Sequence, residues 1–226
     1  MKARTGWLGI GLAMLGVLGS VATLAMVFFW VPTEARQGVI QRIFYLHVPS
    51  AWVAFMAFGI VAFASAVYLW LGDERADMAA LAAAEGGMIF TAIVLTSGPL
   101  WGKIAWGAYW VWEPRLTLTL LLGFIYLGYM MVRNATDSPE RGKRFAAVVG
   151  IVGAINIPLI HMSVYWFRSL HPDPVVLKPE GPTLDGDMLT TLMVGLLSFT
   201  LLFFGLMTLR YGVERARHTL ELRESA

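Results

Sequence analysis

Long apolar runs are the feature of this chain that most limits what it can fold into. A helix needs about 20 apolar residues to cross the roughly 30 Å hydrocarbon core of a bilayer. Several runs in this chain reach that length, and 58% of its residues are hydrophobic while only 14% are charged. The mean hydropathy is +0.66. Such values exclude an ordinary soluble domain and predict an integral membrane protein.

The runs predict an all-α fold with six transmembrane helices, in a single domain over residues 1–226. The third run is interrupted near Glu85, and the fourth is short, so its first turn would come from the segment before it. The first run follows Lys2 and Arg4 but is too long for a signal peptide, and we interpret it as a permanent helix. The predicted spans are residues 7–31, 48–71, 79–100, 116–132, 145–166 and 188–209.

The distribution of lysine and arginine predicts the orientation of the helices. With a cytoplasmic N-terminus, 11 of these 17 cations lie on the inner side and 6 on the outer side. Both termini are therefore predicted to be cytoplasmic. The net charge of +2 gives no reason to expect a nucleic-acid partner, and the absence of cysteine excludes disulfides and thiolate metal sites in this chain. The six outer cations are Arg36, Arg42, Lys103, Arg115, Arg168 and Lys178.

Aromatic residues are concentrated between positions 101 and 117, on the predicted outer face. An aromatic belt places one or two rings at each helix end, whereas four of the nine tryptophans here fall within twelve residues. This density predicts a platform for a large, flat, apolar ligand. Two pairs have helical spacing, so a short interfacial helix would present two aromatic faces, and the spacing does not say which one meets the ligand. The residues are Trp101, Trp106, Tyr109, Trp110 and Trp112.

Two of the four histidines are predicted to lie at the level of this platform. His47 is placed at the outer end of the second span, and His161 near the outer end of the fifth, where Pro158 is expected to kink the helix. Ionisable residues in a membrane usually mark function. Each imidazole could instead bond a backbone carbonyl at the interface. We interpret His171 as a loop residue and His218 as a solvated residue of the C-terminal tail.

Two imidazoles, flat aromatic walls and arginines together match haem. Imidazoles would occupy the axial positions of the iron, and guanidinium groups would bind the propionate carboxylates. Arg42 and Arg115 are the candidates for the second role, although Arg42 could equally be a cation that extends to the interface. Glu113 precedes Pro114 at a helix start, so a structural role is favoured for that carboxylate.

The run from Trp106 to Thr117, WGAYWVWEPRLT, resembles the tryptophan-rich signature of the haem-handling proteins of cytochrome c biogenesis. The chain length, the six predicted spans and the Arg-Leu-Thr ending resemble the haem exporter protein C branch (CcmC) of the cytochrome c maturation system. The resemblance also covers Arg42 to Pro49 and the region of His161. One difference is that the family usually has aspartate where this chain has Glu113.

The resemblance implies a haem-delivery subunit of the bacterial inner membrane rather than an enzyme. Haem b would be held non-covalently at the periplasmic face, with His47 and His161 as iron ligands and Arg42 and Arg115 near its edge. The aromatic platform would be Trp101, Trp106, Tyr109, Trp110 and Trp112. The implied partners are membrane lipid, a periplasmic haem chaperone, a small single-span subunit, and an ATP-binding-cassette permease with its ATPase. The chain has no Walker A pattern of its own.

Two other classes of protein remain open from the residues alone. A membrane b-type cytochrome could use the same histidines for electron transfer, but such carriers favour haems buried within the bundle, often in pairs. A small-solute permease could be built from six helices, and the main evidence for it is Glu85, a carboxylate within the third predicted span. A permease would explain neither the histidines nor the tryptophans.

Overall fold

Every regular element in the described part of the chain is helical. The computed structural model describes residues 2–167, 169–171, 175–176 and 181–224. A short 3₁₀ helix, Val39–Ile43, leads directly into the second helix. The α-helices are α1 (Lys2–Phe29), α2 (Phe44–Leu71), α3 (Glu74–Trp106), α4 (Pro114–Val132), α5 (Pro139–Gly153), α6 (Asn156–Trp166) and α7 (Gly186–Glu224).

Six segments of the described residues are long and apolar enough to cross a membrane, which confirms the predicted number of spans. Each of α1, α2, α3, α4 and α7 forms one span, and α5 and α6 together form the fifth in sequence order. Two of the cations predicted to be on the outer side, Arg168 and Lys178, lie outside the described residues.

The ends of α3 follow from local chemistry. At its start, the side chain of Asp73 accepts a hydrogen bond from the backbone N–H of Arg75 at 2.9 Å, as an N-cap residue does. At its end, Gly107 has a φ of 83°, in the left-handed region that suits glycine. Between these ends α3 is continuous, so it passes through Glu85 and includes the first part of the tryptophan-rich segment.

The fifth span is broken at Ala154 and Ile155, between α5 and α6. Pro158 explains the break, because a proline ring clashes with the carbonyl four residues earlier, which here belongs to Ala154. The distortion predicted near Pro158 is confirmed. At the break, Asn156 donates a hydrogen bond from Nδ2 to the carbonyl of Leu118 in α4 at 2.9 Å.

The helices pack as a bundle in which α1 lies against α7 and α2 lies against α3, α5 and α7. Glycine allows the α1–α7 backbones to touch, since a Cβ added to Gly16 would lie 2.4 Å from the nitrogen of Leu202. The centre of the bundle is apolar. There, the rings of Phe58 and Tyr126 lie 4.1 Å apart, and the Tyr126 hydroxyl donates to the carbonyl of Ala54.

One end of the bundle, here called the arginine end, is held by ion pairs. Arg133 of α4 binds Asp77 of α3 through two hydrogen bonds of 2.7 and 2.6 Å, and Lys143 of α5 binds Glu74 at 2.6 Å. Asp77 and Trp106 lie on the same helix, so their separation along α3 is roughly 45 Å at 1.5 Å per residue. The tryptophan-rich segment therefore lies at the opposite end of the bundle.

Glu85, which supported the permease alternative, is paired. Arg210 of α7 donates to Glu85 Oε1 from Nη2 at 2.7 Å and to its other oxygen from Nε. Arg210 also donates to Glu214 one turn further along α7. An arginine satisfies this carboxylate, so Glu85 has a structural explanation.

Candidate functional site

His47 lies in the first turn of α2 and is buried, with 8% of its surface exposed. The helix begins at Phe44, four residues before the predicted start of the second span at Val48, so His47 lies within the helix rather than at its cap. Its Nδ1 lies 2.9 Å from the hydroxyl of Ser97, and its ring centre lies 5.8 Å from the ring centre of Trp101. Ser97 and Trp101 are one turn apart on α3, so the contact between α2 and α3 fixes this imidazole.

His171 lies beside His47. Its ring centre is 6.3 Å from that of His47 and 6.2 Å from that of Trp106, the last residue of α3. Burial, together with the positive charge of Arg115, lowers the pKa of His171 to about 3. The imidazole is therefore neutral near pH 7, which is the form that binds a metal ion.

A two-step hydrogen-bond connection holds the backbone at His171. The N–H of His171 donates to the hydroxyl of Ser169 at 3.0 Å, and that hydroxyl donates to Glu113 Oε2. Glu113 is the N-cap residue of α4 and is itself buried. This carboxylate therefore connects the loop that carries His171 to the end of the tryptophan-rich segment.

His161 is placed differently from the sequence prediction. It is exposed on α6, and its ring contacts Tyr165 of the same helix, with 6.0 Å between ring centres. Among the described residues, the imidazole whose ring contacts His47 belongs to His171. The structure thus does not bring the predicted pair, His47 and His161, together. Sequence reasoning gave His171 no ligand role because no local pattern distinguishes it from other loop histidines.

The tryptophan-rich segment is part helix and part extended chain. Because α3 ends at Trp106 and Gly107 turns the chain, residues 107–113 do not form the short interfacial helix suggested by the spacing of Trp106 and Trp110. The rings of Trp110 and Trp112 pack edge to face at 5.6 Å. Trp112 is 75% exposed.

The aromatic residues therefore divide into two groups. Trp101 and Trp106 face the histidines, and Trp101 is also held by a 2.8 Å hydrogen bond from its indole N–H to Gln37 Oε1. Tyr109 and Trp112 face outwards. Trp101 and Trp106 would therefore contact a ligand bound at the histidines, whereas Tyr109 and Trp112 are exposed on the surface of the protein.

The two candidate arginines also differ in position. Arg42 lies against α1, with its guanidinium carbon 5.7 Å from the ring centre of Phe28. Arg115, in the first turn of α4, lies close enough to His171 for its charge to lower the pKa of that imidazole. Within the described part of the chain, the Arg115 guanidinium makes no hydrogen bond. Arg115 is thus the better placed of the two to bind an anionic group beside the histidines.

Comparison with known proteins identifies the family. Residues 2–224 match the family described as Heme exporter protein C. The chain belongs to this family. The resemblance inferred from the tryptophan-rich signature is therefore confirmed, and the match covers nearly the whole chain rather than the signature alone.

Individual members of the Heme exporter protein C family are similar over most of the chain. The Bradyrhizobium diazoefficiens protein of that name is 43% identical over 76% of this chain and 65% of its own length. The Haemophilus influenzae protein of that name is 36% identical over 90% of this chain and 80% of its own. A Marchantia polymorpha protein described as a putative cytochrome c biosynthesis ccmC-like mitochondrial protein is 36% identical over 75% of this chain and 72% of its own. With six spans and bacterial relatives, the chain is a multi-pass protein of the bacterial inner membrane.

The residues around the histidines fit the polar edge and the iron of a haem. Five buried polar atoms at this end of the bundle have no hydrogen-bond partner in the described part of the chain. Leaving such an atom unpaired costs about 1–3 kcal/mol. The N–H donors of Arg42 and Trp110 match a ligand that carries carboxylates, whereas Glu113 Oε1 is an acceptor and does not. A structural zinc site needs four protein ligands. Among the described residues, no group of three or more His, Asp or Glu side chains is placed to hold a metal ion. The five atoms are Arg42 Nε, Tyr45 Oη, Trp110 Nε1, Glu113 Oε1 and His171 Nδ1.

Proposed function

We propose that this chain binds haem b non-covalently at the end of the bundle formed by the tryptophan-rich segment, and delivers it during c-type cytochrome biogenesis. The observation that carries the proposal is the contact between two imidazoles, the buried His47 and the half-buried His171, which lie between Trp101 and Trp106. Membership of the Heme exporter protein C family supports haem as the cargo. The chain acts as a binding and delivery subunit and not as an enzyme.

The separation of the two imidazoles supports axial ligation of a single iron. A nitrogen ligand lies about 2.0–2.1 Å from a bound metal ion, so two imidazoles on opposite sides of one ion have ring centres roughly 6 Å apart. The ring centres of His47 and His171 are 6.3 Å apart. We therefore propose His171, in place of His161, as the partner of His47 in bis-histidine ligation.

The neighbouring residues supply the remaining contacts that haem requires. Trp101 and Trp106 provide apolar walls next to the imidazoles. Arg115 offers a guanidinium group for a propionate carboxylate, a pairing favoured by two parallel N–H···O bonds. Arg42 has a buried Nε without a partner in the described residues, and it would serve a second carboxylate only by leaving the ring of Phe28.

The exposed aromatic residues suggest how the cargo is passed on. Tyr109 and Trp112 lie on the outer surface of the same segment whose inner residues face the histidines. We propose that this surface faces the periplasm, where it would meet a periplasmic haem chaperone. A small single-span subunit and an ATP-binding-cassette permease with its ATPase would complete the assembly, with the ATP hydrolysed by that partner.

Visible absorption of the detergent-purified chain, oxidised and then reduced with dithionite, tests the ligands. The wild-type chain is expected to show a low-spin bis-imidazole haem spectrum. His47→Ala and His171→Ala should each lose it, while His161→Ala, the matched exposed histidine, should keep it. Loss of the spectrum in His161→Ala with retention in His171→Ala would restore the pair predicted from the sequence. A chain that stays colourless after expression with added haem precursor would overturn haem as the cargo.

A further inference from the structure

Two contacts of Ser97 determine which nitrogen of His47 carries the proton. The Ser97 oxygen lies 2.7 Å from the carbonyl oxygen of Ile93 and 2.9 Å from Nδ1 of His47. A carbonyl has no hydrogen to donate, so at 2.7 Å the hydroxyl hydrogen must lie between Ser97 and Ile93. Since a hydroxyl has only this one hydrogen, its oxygen can only accept from His47. The proton of the neutral imidazole is therefore on Nδ1, and Nε2 carries the free electron pair.

The same part of α3 also fixes the plane of the imidazole. A Cβ added to Gly98 would lie 3.2 Å from Cε1 of His47, so the helix backbone lies directly against the ring. Trp101 contacts the ring from one turn further along, with 5.8 Å between ring centres. Three residues of α3, Ser97, Gly98 and Trp101, thus contact the His47 ring and restrict its rotation.

We infer that Ser97 is a positioning residue, which holds His47 with Nε2 free to bind an axial metal and Nδ1–H bonded to the serine oxygen. This inference rests on the proposed function, because it assumes that His47 binds haem iron. A hydrogen-bond acceptor on the second ring nitrogen raises the basicity of a ligating imidazole and fixes its orientation. Ser97 therefore increases haem retention and lowers the reduction potential of the bound haem.

Four single variants of the full-length, haem-loaded chain test this role. Ser97→Ala removes the acceptor, and Ser97→Cys replaces it with a sulfur of similar volume that accepts weakly. Ser97→Thr keeps the hydroxyl, and Ser97 borders an open apolar groove between Leu46 and α3 into which the added methyl group can project. Thr96→Ala is the matched control, since its hydroxyl donates to its own helix at Ala92, at 2.8 Å, on the exposed side of α3.

The measurements are the rate of haem transfer to apomyoglobin and the midpoint potential of the bound haem. Ser97→Ala and Ser97→Cys should lower haem affinity by about tenfold to a hundredfold, the usual effect of removing the partner of a metal-binding imidazole. Both should also raise the midpoint potential. Ser97→Thr and Thr96→Ala should match the wild-type chain in both measurements. If Ser97→Ala does not fold, the Cys variant alone decides.

Two results would overturn the inference, and they are distinguishable. If His47→Ala retains the wild-type haem spectrum, His47 is not a ligand, and the proposed ligand pair fails together with the role of Ser97. If His47→Ala loses the spectrum while Ser97→Ala and Ser97→Cys keep the wild-type transfer rate and potential, the proposed function stands and the role of Ser97 is removed.

Discussion

Gly98 is the point at which the backbone of α3 packs against His47, the proposed iron ligand. A methyl group at this position would lie 3.2 Å from Cε1 of His47, closer than ordinary van der Waals contact. Ser97 bonds Nδ1, the ring atom next to Cε1, so an imidazole displaced by the methyl group would strain that hydrogen bond. The backbone of α3 is thus part of the site although it offers no functional group.

Gly98→Ala is therefore expected to speed haem loss. Crowding of a packed side chain costs about 1–3 kcal/mol, and each 1.4 kcal/mol is about a tenfold change in affinity, so transfer to apomyoglobin should be about tenfold faster. Gly59→Ala in α2 is the matched control, because a Cβ there has nothing within 4 Å. Equal transfer rates in the two variants would show that His47 tolerates the added methyl group.

At the scale of elements, the site depends on a loop tied to a helix start. Ser169 connects the backbone of His171 to Glu113, the residue before α4. Glu113 Oε1 already has no partner in the described residues. Its other oxygen accepts directly from the Ser169 hydroxyl. Its carboxylate thus has a structural role, as the position before Pro114 predicted.

Ser169→Ala should loosen the loop and weaken the proposed His171 ligation. The variant leaves the buried Glu113 without this donor, which costs about 1–3 kcal/mol. We expect a smaller low-spin fraction in the oxidised spectrum and a lower unfolding temperature. Ser163→Ala is the control, since that hydroxyl donates to Ile160 within α6. A wild-type low-spin fraction in Ser169→Ala would show that the loop is positioned by other contacts.

The elements show which features the sequence could predict. Apolar run length predicted the six spans, because crossing the bilayer depends on local composition alone. The clash of Pro158 with the carbonyl four residues earlier predicted the break in the fifth span. The spacing of Trp106 and Trp110 suggested a helix that is absent, because Gly107 adopts a left-handed conformation between them. Spacing alone does not report where a helix stops.

The pairing of His47 with His171 required tertiary information. His161 follows a proline near the end of an apolar run, which is a local signal, whereas His171 lies in a loop without one. The position of His171 arises from contacts with Trp106 and, through Ser169, with Glu113. Glu113 lies 56 positions before Ser169 in the chain, and Trp106 lies still further from His171. The sequence thus drew attention to His47 and the tryptophans but not to His171, which the structure places beside them.

For the whole molecule, the two ends of the bundle differ in how their polar groups are paired. The arginine end carries a buried ion pair between Arg133 and Asp77, whose side chains are 11% and 3% exposed. The opposite end carries unpaired polar atoms and exposed tryptophan. Under the proposed function, the ion pairs would fix the helices at one end while the other end receives haem.

Asp77→Asn tests this division, because it leaves Arg133 buried without its counter-charge. Breaking a buried ion pair from one side costs about 3–5 kcal/mol, so the unfolding temperature in detergent should fall clearly. The haem spectrum of the folded protein at low temperature should not change, since Asp77 is roughly 45 Å along α3 from Trp106. Asp73→Asn is the control: its partner Arg75 is 77% exposed, and such pairs contribute about 0–1 kcal/mol. A changed haem spectrum in folded Asp77→Asn would mean that α3 transmits strain between the ends, and that stability and ligand binding are not separate.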